Sequence, residues 1–164
     1  NPDPNPDPDP NPNPNPNPQV CPGFEGRRAR YVYATMGAAG LPGGGAAPPV
    51  PTQSFVVIDL ERGGGGEIVD SWHAGARRIV DEACIVPRGG GEGGEGGEGG
   101  EGGGGEREAW LVAPVFDGAT RTTSYVVLDA ADLAAGPVCE LPLPTHIPWG
   151  LHGTWVEPGG GAAL

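Results

Sequence analysis

The sequence contains no lysine, and all nine of its cationic residues are arginine. Against them stand 21 acidic residues, for a net charge of −12. This disfavours nucleic acid as a partner, because a phosphate backbone is held by an excess of basic side chains. Cysteine is equally sparse. Cys21, Cys84 and Cys139 are far apart and include no C-x-x-C pair, which argues against a disulfide framework or a thiolate zinc site and favours a reducing compartment. No apolar run approaches the roughly 20 residues of a membrane-crossing helix, and no basic segment followed by an apolar one marks a secretory leader. The chain starts without methionine inside a repeat, from which we expect it to be a piece of a longer protein.

Familiar catalytic signatures are also missing. Ser54, Ser71 and Ser124 are the only serines and none lies in G-x-S-x-G. The glycines at 63–66 are not followed by Lys-Ser/Thr, so they form no phosphate loop, and neither H-E-x-x-H nor H-x-H occurs.

What is abundant is glycine and proline, 32 and 21 residues, roughly a third of the chain. Much of the excess lies in two low-complexity segments. From Asn1 to Pro18 every second residue is proline, which fixes φ and removes half the amide donors, so residues 1–22 are expected to form a disordered segment. From Gly89 to Gly105 only glycine and glutamate occur, a composition that buries nothing and predicts a solvated loop insertion, with calcium binding by its carboxylates as the lesser alternative. The folded part is then expected over residues 23–158, interrupted by 89–105, with a flexible tail at 159–164.

Between these tracts, short β-rich runs bounded by Gly, Pro and Asp lie at 29–36, 54–60, 67–72, 83–86, 109–116, 125–129, 138–141 and 153–156. Their number and spacing predict an all-β, antiparallel architecture, with a single helical turn near 130–135. The pattern Ile58-Asp59-Leu60 is echoed by Leu128-Asp129-Ala130, hinting at two related hairpin units such as successive propeller blades. Eight strands are too few to close a propeller, so the chain is not expected to fold as an independent unit.

Three histidines are available to chemistry. His152 lies in Ile147-Pro-Trp-Gly-Leu-His-Gly-Thr-Trp155, where a proline and two glycines constrain the backbone and the flanking aromatics exclude water. A neutral imidazole in that setting suits a first-row metal, although a hydrogen-bonded structural role is the alternative. His146 and His73 read as turn or loop residues. Glu82 opens the apolar run Ala83–Val86, where a carboxylate could accept the N–H of a metal-bound imidazole; the alternative is a solvated turn shared with Asp81. Cys84, inside the same run, reads as inert core.

Four blocks in order carry a resemblance: Asp81-Glu-Ala-Cys-Ile-Val-Pro-Arg88, Glu106-Arg-Glu-Ala-Trp-Leu-Val112, Tyr125-Val-Val-Leu-Asp-Ala-Ala-Asp-Leu133 and Leu141-Pro-Leu-Pro-Thr-His-Ile-Pro-Trp-Gly-Leu-His-Gly-Thr-Trp155. Together they resemble the C-terminal end of the carotenoid cleavage oxygenase family, whose pattern runs S-E-P-x-F-V-P-R, E-D-D-G, L-x-I-L-D-A-x-D and P-Y-G-h-H-G. Upstream, Arg30-Tyr-Val-Tyr33, Phe55–Leu60 and Trp72–Gly75 are similar to further family blocks. The resemblance implies about the last two blades of a seven-bladed β-propeller. It also implies an enzyme that holds Fe(II) through four histidines and uses dioxygen to cleave a conjugated double bond of a carotenoid or apocarotenoid.

On that resemblance His152 matches the last of the four iron ligands, and Glu82 a glutamate that orients one of them. The chain departs from the pattern at Ala83 and at Glu106-Arg-Glu-Ala109, and the other three ligands are absent, so the chain alone is expected to be inactive. A plastid or cytoplasmic setting, and peripheral membrane contact by the intact enzyme, are further family implications. The competing reading is a non-catalytic, propeller-derived interaction protein or degenerate product without a complete iron site.

Overall fold

The computed structural model describes residues 18–37, 51–88, 105–148, 150 and 153–156. The expectations for the Asn/Asp-Pro repeat up to residue 17, the Gly-Glu tract over 89–104, the tail from 157 and His152 itself lie outside the described residues.

Eight strands form two antiparallel sheets among the described residues. Strands β1 (Tyr31–Met36), β2 (Ser54–Asp59) and β3 (Glu67–His73) make the first, in that order. In the second, β4 (Arg78–Val80) and β5 (Cys84–Pro87) both pair with β6 (Ala109–Asp117), which pairs with β7 (Thr122–Asp129), and β7 with β8 (Pro137–Pro142). Seven of the expected runs appear as strands, with shifted ends. The run at 153–156 does not: it is irregular. The three-residue strand β4 is an addition, too short to register as a pattern, and it follows Arg77, which sits at φ 62° in the turn before it. The helical turn near 130–135 is a single 3₁₀ turn over Leu133–Ala135, capped by Asp132, whose carboxylate accepts the Ala135 N–H at 3.2 Å.

One core spans both sheets. Strand β2 is apolar on both faces, and Ser54, Phe55, Val56 and Val57 are all buried, as a continuous apolar run requires. Strand β6 instead alternates, burying Ala109, Leu111, Ala113 and Val115 against Val126, Leu128 and Leu133. The residues just after the proline repeat join this packing: Gln19 bridges Tyr33 and Cys21 is 2% exposed.

The repeated Asp turn has a physical basis. Asp59 and Asp129 end β2 and β7, and each accepts the amide two residues on, Glu61 at 3.0 Å and Ala131 at 2.8 Å. Each also takes an arginine: Arg30 binds Asp59 in bidentate fashion at 3.0 and 2.7 Å, and Arg88 pairs with Asp129. Those guanidinium groups lie over Tyr31 and Trp110, the residues that face the two aspartates in the ladders. The arginines hold both carboxyls below the usual carboxylate range. Arg30 precedes β1 whereas Arg88 follows β5, so the same contact is reached from different places in the chain.

The sheets are joined by a compact polar contact. Glu106, in a 3₁₀ turn over Gly105–Arg107, is 4% exposed, and its carboxylate accepts the backbone N–H groups of Arg30 (3.0 and 2.8 Å) and Tyr31 (2.8 Å). Its carbonyl accepts the Tyr33 hydroxyl at 2.9 Å. Next to it Arg107 pairs with Asp70 of β3, which also accepts the amides of Leu133 and Ala134 at 2.9 and 3.1 Å.

Candidate functional site

The site begins with a proline. Strands β4 and β5 run along the same side of β6, and between Val80↔Val115 and Cys84↔Val112 three residues, Asp81 to Ala83, face only two, Ala113 and Pro114. The Pro114 carbonyl accepts the Asp81 N–H at 3.1 Å, but its ring nitrogen has no proton to return, so the ladder breaks there. The result is a bulge, and bulges re-aim side chains. Here it frees two consecutive carboxylates from the ladder.

Both turn toward the segment that follows β8. One oxygen of Asp81 accepts the Gly150 N–H at 2.7 Å and the other accepts the Glu82 N–H at 2.8 Å. Glu82, half-buried, accepts the Gln19 side-chain amide at 2.6 Å and the Gly153 N–H at 3.2 Å. The two glycines pack closely against these groups. A Cβ at Gly150 would lie 3.3 Å from the Asp81 Oδ2, and one at Gly153 would lie 3.3 Å from the Cys84 Sγ. Burial, and then the charge of Glu82, pushes the Cys84 thiol up, keeping it neutral in keeping with an inert role.

A cleft of about 510 Å³ opens beside these groups, lined by Glu82, Cys84, Val112, Tyr125, Leu141 and Trp155. A second hollow of about 560 Å³ shares Cys84 and Trp155 with it and continues along Gln19 and Ile85. Apolar walls with a few convergent polar groups are the usual form of a small-molecule site.

The other histidines are occupied elsewhere. His73 is the exposed last residue of β3 rather than a loop residue, and its Nδ1 accepts the Gly75 N–H at 2.9 Å. His146 is exposed, packs on Phe116 with ring centroids 4.9 Å apart, and hydrogen-bonds the Thr123 hydroxyl at 3.2 Å. Among the described residues no group of three or more His, Cys, Asp or Glu side chains could hold a metal ion. The carboxylates of Asp81 and Glu82 are engaged with backbone and side-chain amides, an arrangement that suits orienting a ligand-bearing segment and not ligating metal directly. Among the described residues, then, these carboxylates hold neighbouring amides and no metal-ligand set is assembled.

Of the sequence-predicted pair, Glu82 accepts the Gly153 amide, and His152 lies outside the described residues. Asp81, Gln19 and the Gly150 and Gly153 amides carry no functional signature of their own in the sequence. The signal for them was Pro114, which interrupts the apolar run Ala109–Phe116 at a position where a central strand does not tolerate proline.

The same fold recurs in solved β-propeller-class oxygenases. A Synechocystis apocarotenoid oxygenase mutant matches with a TM-score of 0.64 at 28% identity, over 86% of this chain and 25% of that one. A cobalt-substituted form of the Synechocystis enzyme gives the same values, TM-score 0.64 and 28% identity.

The chain belongs to the RPE65 (retinal pigment epithelial membrane protein) family, whose model matches residues 9–157. It is similar to the apocarotenoid-15,15'-oxygenase of Synechocystis, 34% identical over 80% of this chain and 22% of that protein. It is also similar to the chromoplastic zeaxanthin 7,8(7',8')-cleavage dioxygenase of Crocus sativus, 30% identical over 82% of this chain and 32% of that protein. A third relative is the rice chloroplastic 9-cis-epoxycarotenoid dioxygenase NCED1, 32% identical over 84% of this chain and 19% of that protein. The chain thus spans between a fifth and a third of the length of these relatives.

Proposed function

We propose that this chain forms part of an Fe(II)-dependent dioxygenase that oxidatively cleaves a conjugated double bond of a carotenoid or apocarotenoid. His152 would be one of four histidine iron ligands in the intact enzyme. Glu82 would accept an imidazole N–H and so fix tautomer and ring orientation. The two sheets would be about the last two of seven blades. The observation that carries this reading is the placement of Glu82: a carboxylate expelled from a strand ladder by a bulge, with one oxygen on the Gly153 amide next to His152.

When bound, iron would supply redox chemistry toward dioxygen, and neutral imidazoles would hold it without cancelling its charge. This chain's own contribution would be to hold the Gly150 and Gly153 amides and to line the adjoining cleft with Val112, Tyr125, Leu141 and Trp155. Such a lining excludes water and accepts a polyene that offers the metal no ligand of its own. The names of relatives acting on apocarotenoid, zeaxanthin and 9-cis-epoxycarotenoid support the substrate class, and those printed as chloroplastic or chromoplastic support a plastid setting. Among the described residues no helix is long and apolar enough to cross a membrane.

The test uses the full-length protein. Ferrous iron content and oxygen-dependent bleaching of an apocarotenoid are measured for wild type, His152→Ala and Glu82→Gln. We expect about one iron per wild-type chain, loss of both iron and bleaching in His152→Ala, and weakening of roughly 10- to 100-fold in Glu82→Gln. Full iron content and activity in His152→Ala would overturn the assignment.

A further inference from the structure

The two sheets repeat one another beyond their aspartate turns. Aligning Asp59 with Asp129 matches β1, β2 and β3 to β6, β7 and β8 residue by residue. Tyr31 and Trp110 then face the two aspartates, Tyr33 and Val112 face Val57 and Val127, and Trp72 and Leu141 face Phe55 and Tyr125. The equivalence extends to an irregularity, because the ladder slips between Val57 and Ile58 in the first sheet and between Val127 and Leu128 in the second. A slip of this kind bends and twists a strand, so both sheets are shaped alike at the same step.

Burial is where they differ. Side chains alternate along a strand, so Tyr31, Tyr33, Phe55, Val57 and Trp72 share one face of the first sheet. Tyr33, Phe55 and Val57 are 3%, 1% and 0% exposed, packed in one core with Leu111, Ala113, Val126 and Leu128 of the second sheet. The equivalent face of the second sheet carries Trp110, Val112, Tyr125, Val127 and Leu141, and it lies on the side opposite to that core. There Val112, Tyr125 and Val127 are only half-buried and Leu141 is 53% exposed. The segment after β8 crosses part of this face, tied down by Leu143 N–H to the Thr123 carbonyl at 2.9 Å and by Gly150 to Asp81. The cleft of about 510 Å³ over Val112, Tyr125 and Leu141 stays open beside it.

We propose that this face seats a third β-sheet of the same, longer polypeptide, which meets it with aliphatic side chains as the second sheet meets the first. The inference takes from the functional reading only the premise that these sheets belong to a longer β protein, and none of its iron chemistry. An apolar sheet face needs cover, and where related units stack, each buries the face of its neighbour while a terminal unit needs a polar outer face. Trp110, Val112, Val127 and Leu141 form no such polar cap. A second copy of this chain fits less well, since it would bring Trp110 and Tyr125 against their own counterparts in place of the aliphatic surface that the first sheet receives. Chain for a third sheet is available, because the matched region is between a fifth and a third of each relative's length.

The test uses the full-length protein in a Cys139→Ser background. Leu141→Cys places a thiol on the face, and Val127→Cys repeats the measurement if the first variant fails to fold. Labelling by a thiol reagent is followed by peptide mass, each native rate being taken relative to the same thiol in urea, and a photo-crosslinking residue at position 141 identifies the chain that covers it. We expect native labelling to be slower by on the order of tenfold or more, independent of protein concentration, with the crosslink falling in an aliphatic β-run of the same polypeptide outside residues 1–164. Native labelling within about threefold of the rate in urea would overturn the proposal. Protection that is lost on dilution, which marks a second copy as the cover, would overturn it too, as would a crosslink within residues 1–164. Labelling requires no iron, so a full-length protein that neither takes up iron nor bleaches an apocarotenoid sinks the functional reading and leaves this result standing.

Discussion

Removing the Glu106 carboxylate should uncouple the two sheets more than any surface change, and the size of the effect follows from its contacts. The side chain is 4% exposed and accepts two backbone amides, those of Arg30 and Tyr31, through contacts of 2.8 to 3.0 Å. In Glu106→Ala both amides lose their acceptor at a cost of about 1–3 kcal/mol each. Because Arg30 and Tyr31 are half-buried and water can partly replace the carboxylate, the lower part of that range applies, about 2–4 kcal/mol in all. Glu106→Gln keeps one acceptor oxygen and should cost about 1–2 kcal/mol. The Tyr33 hydroxyl bonds the Glu106 carbonyl and survives both changes, so Tyr33→Phe should lose only about 1 kcal/mol. Urea denaturation read from the midpoint shift at constant slope separates these cases. The reasoning fails if Glu106→Ala unfolds within about 0.5 kcal/mol of wild type, or if glutamine is as damaging as alanine.

Two further predictions concern acid and thiol chemistry. Asp59 and Asp129 have their carboxyls lowered chiefly by Arg30 and Arg88, so their stabilising contribution is present above the unfolded value near 4 and is lost as pH falls through the lower folded values. Thermal midpoints should drop steeply below about pH 4, and Asp59→Asn with Asp129→Asn should start lower at neutral pH and fall less; parallel curves would refute the assignment. Cys139 is exposed, whereas burial raises the thiols of both Cys21 and Cys84. A thiol reagent at pH 7.5 should therefore modify exposed Cys139 fastest, ahead of half-buried Cys84 and buried Cys21, with Cys139→Ser abolishing the fast phase; a fast phase that persists would contradict the raised thiols of the other two.

The all-β architecture was legible because strands β2, β6 and β7 are rich in β-branched and aromatic residues between turn signals, a pattern set by local chemistry. The repeated Ile/Leu-Asp turns were legible for a similar reason, since an aspartate that bonds the amide two residues on is a local structure. Their arginine partners were not, because Arg30 lies 29 residues from Asp59 and Arg88 reaches Asp129 from another strand. The same division applies to the site. His152 and Glu82 could be singled out by residue type and resemblance, but the contact between Glu82 and Gly153 joins positions 71 apart and depends on a register no local pattern reveals.

Pro114 links these scales. In isolation it is a flaw in a strand whose neighbours are otherwise apolar. Paired with the three-against-two count opposite it, the same residue explains why β4 and β5 are separate strands and why Asp81 and Glu82 leave the ladder together. It also accounts for both carboxylates reaching the 150–153 segment from one short stretch of chain. The proline is compatible with the fold because its carbonyl still receives Asp81, leaving only the missing donor uncompensated by a ladder partner. A local rule broken in the middle of a strand is thus the feature that joins the β framework to the chemistry proposed for it, as expected where a functional site departs from the regularity around it.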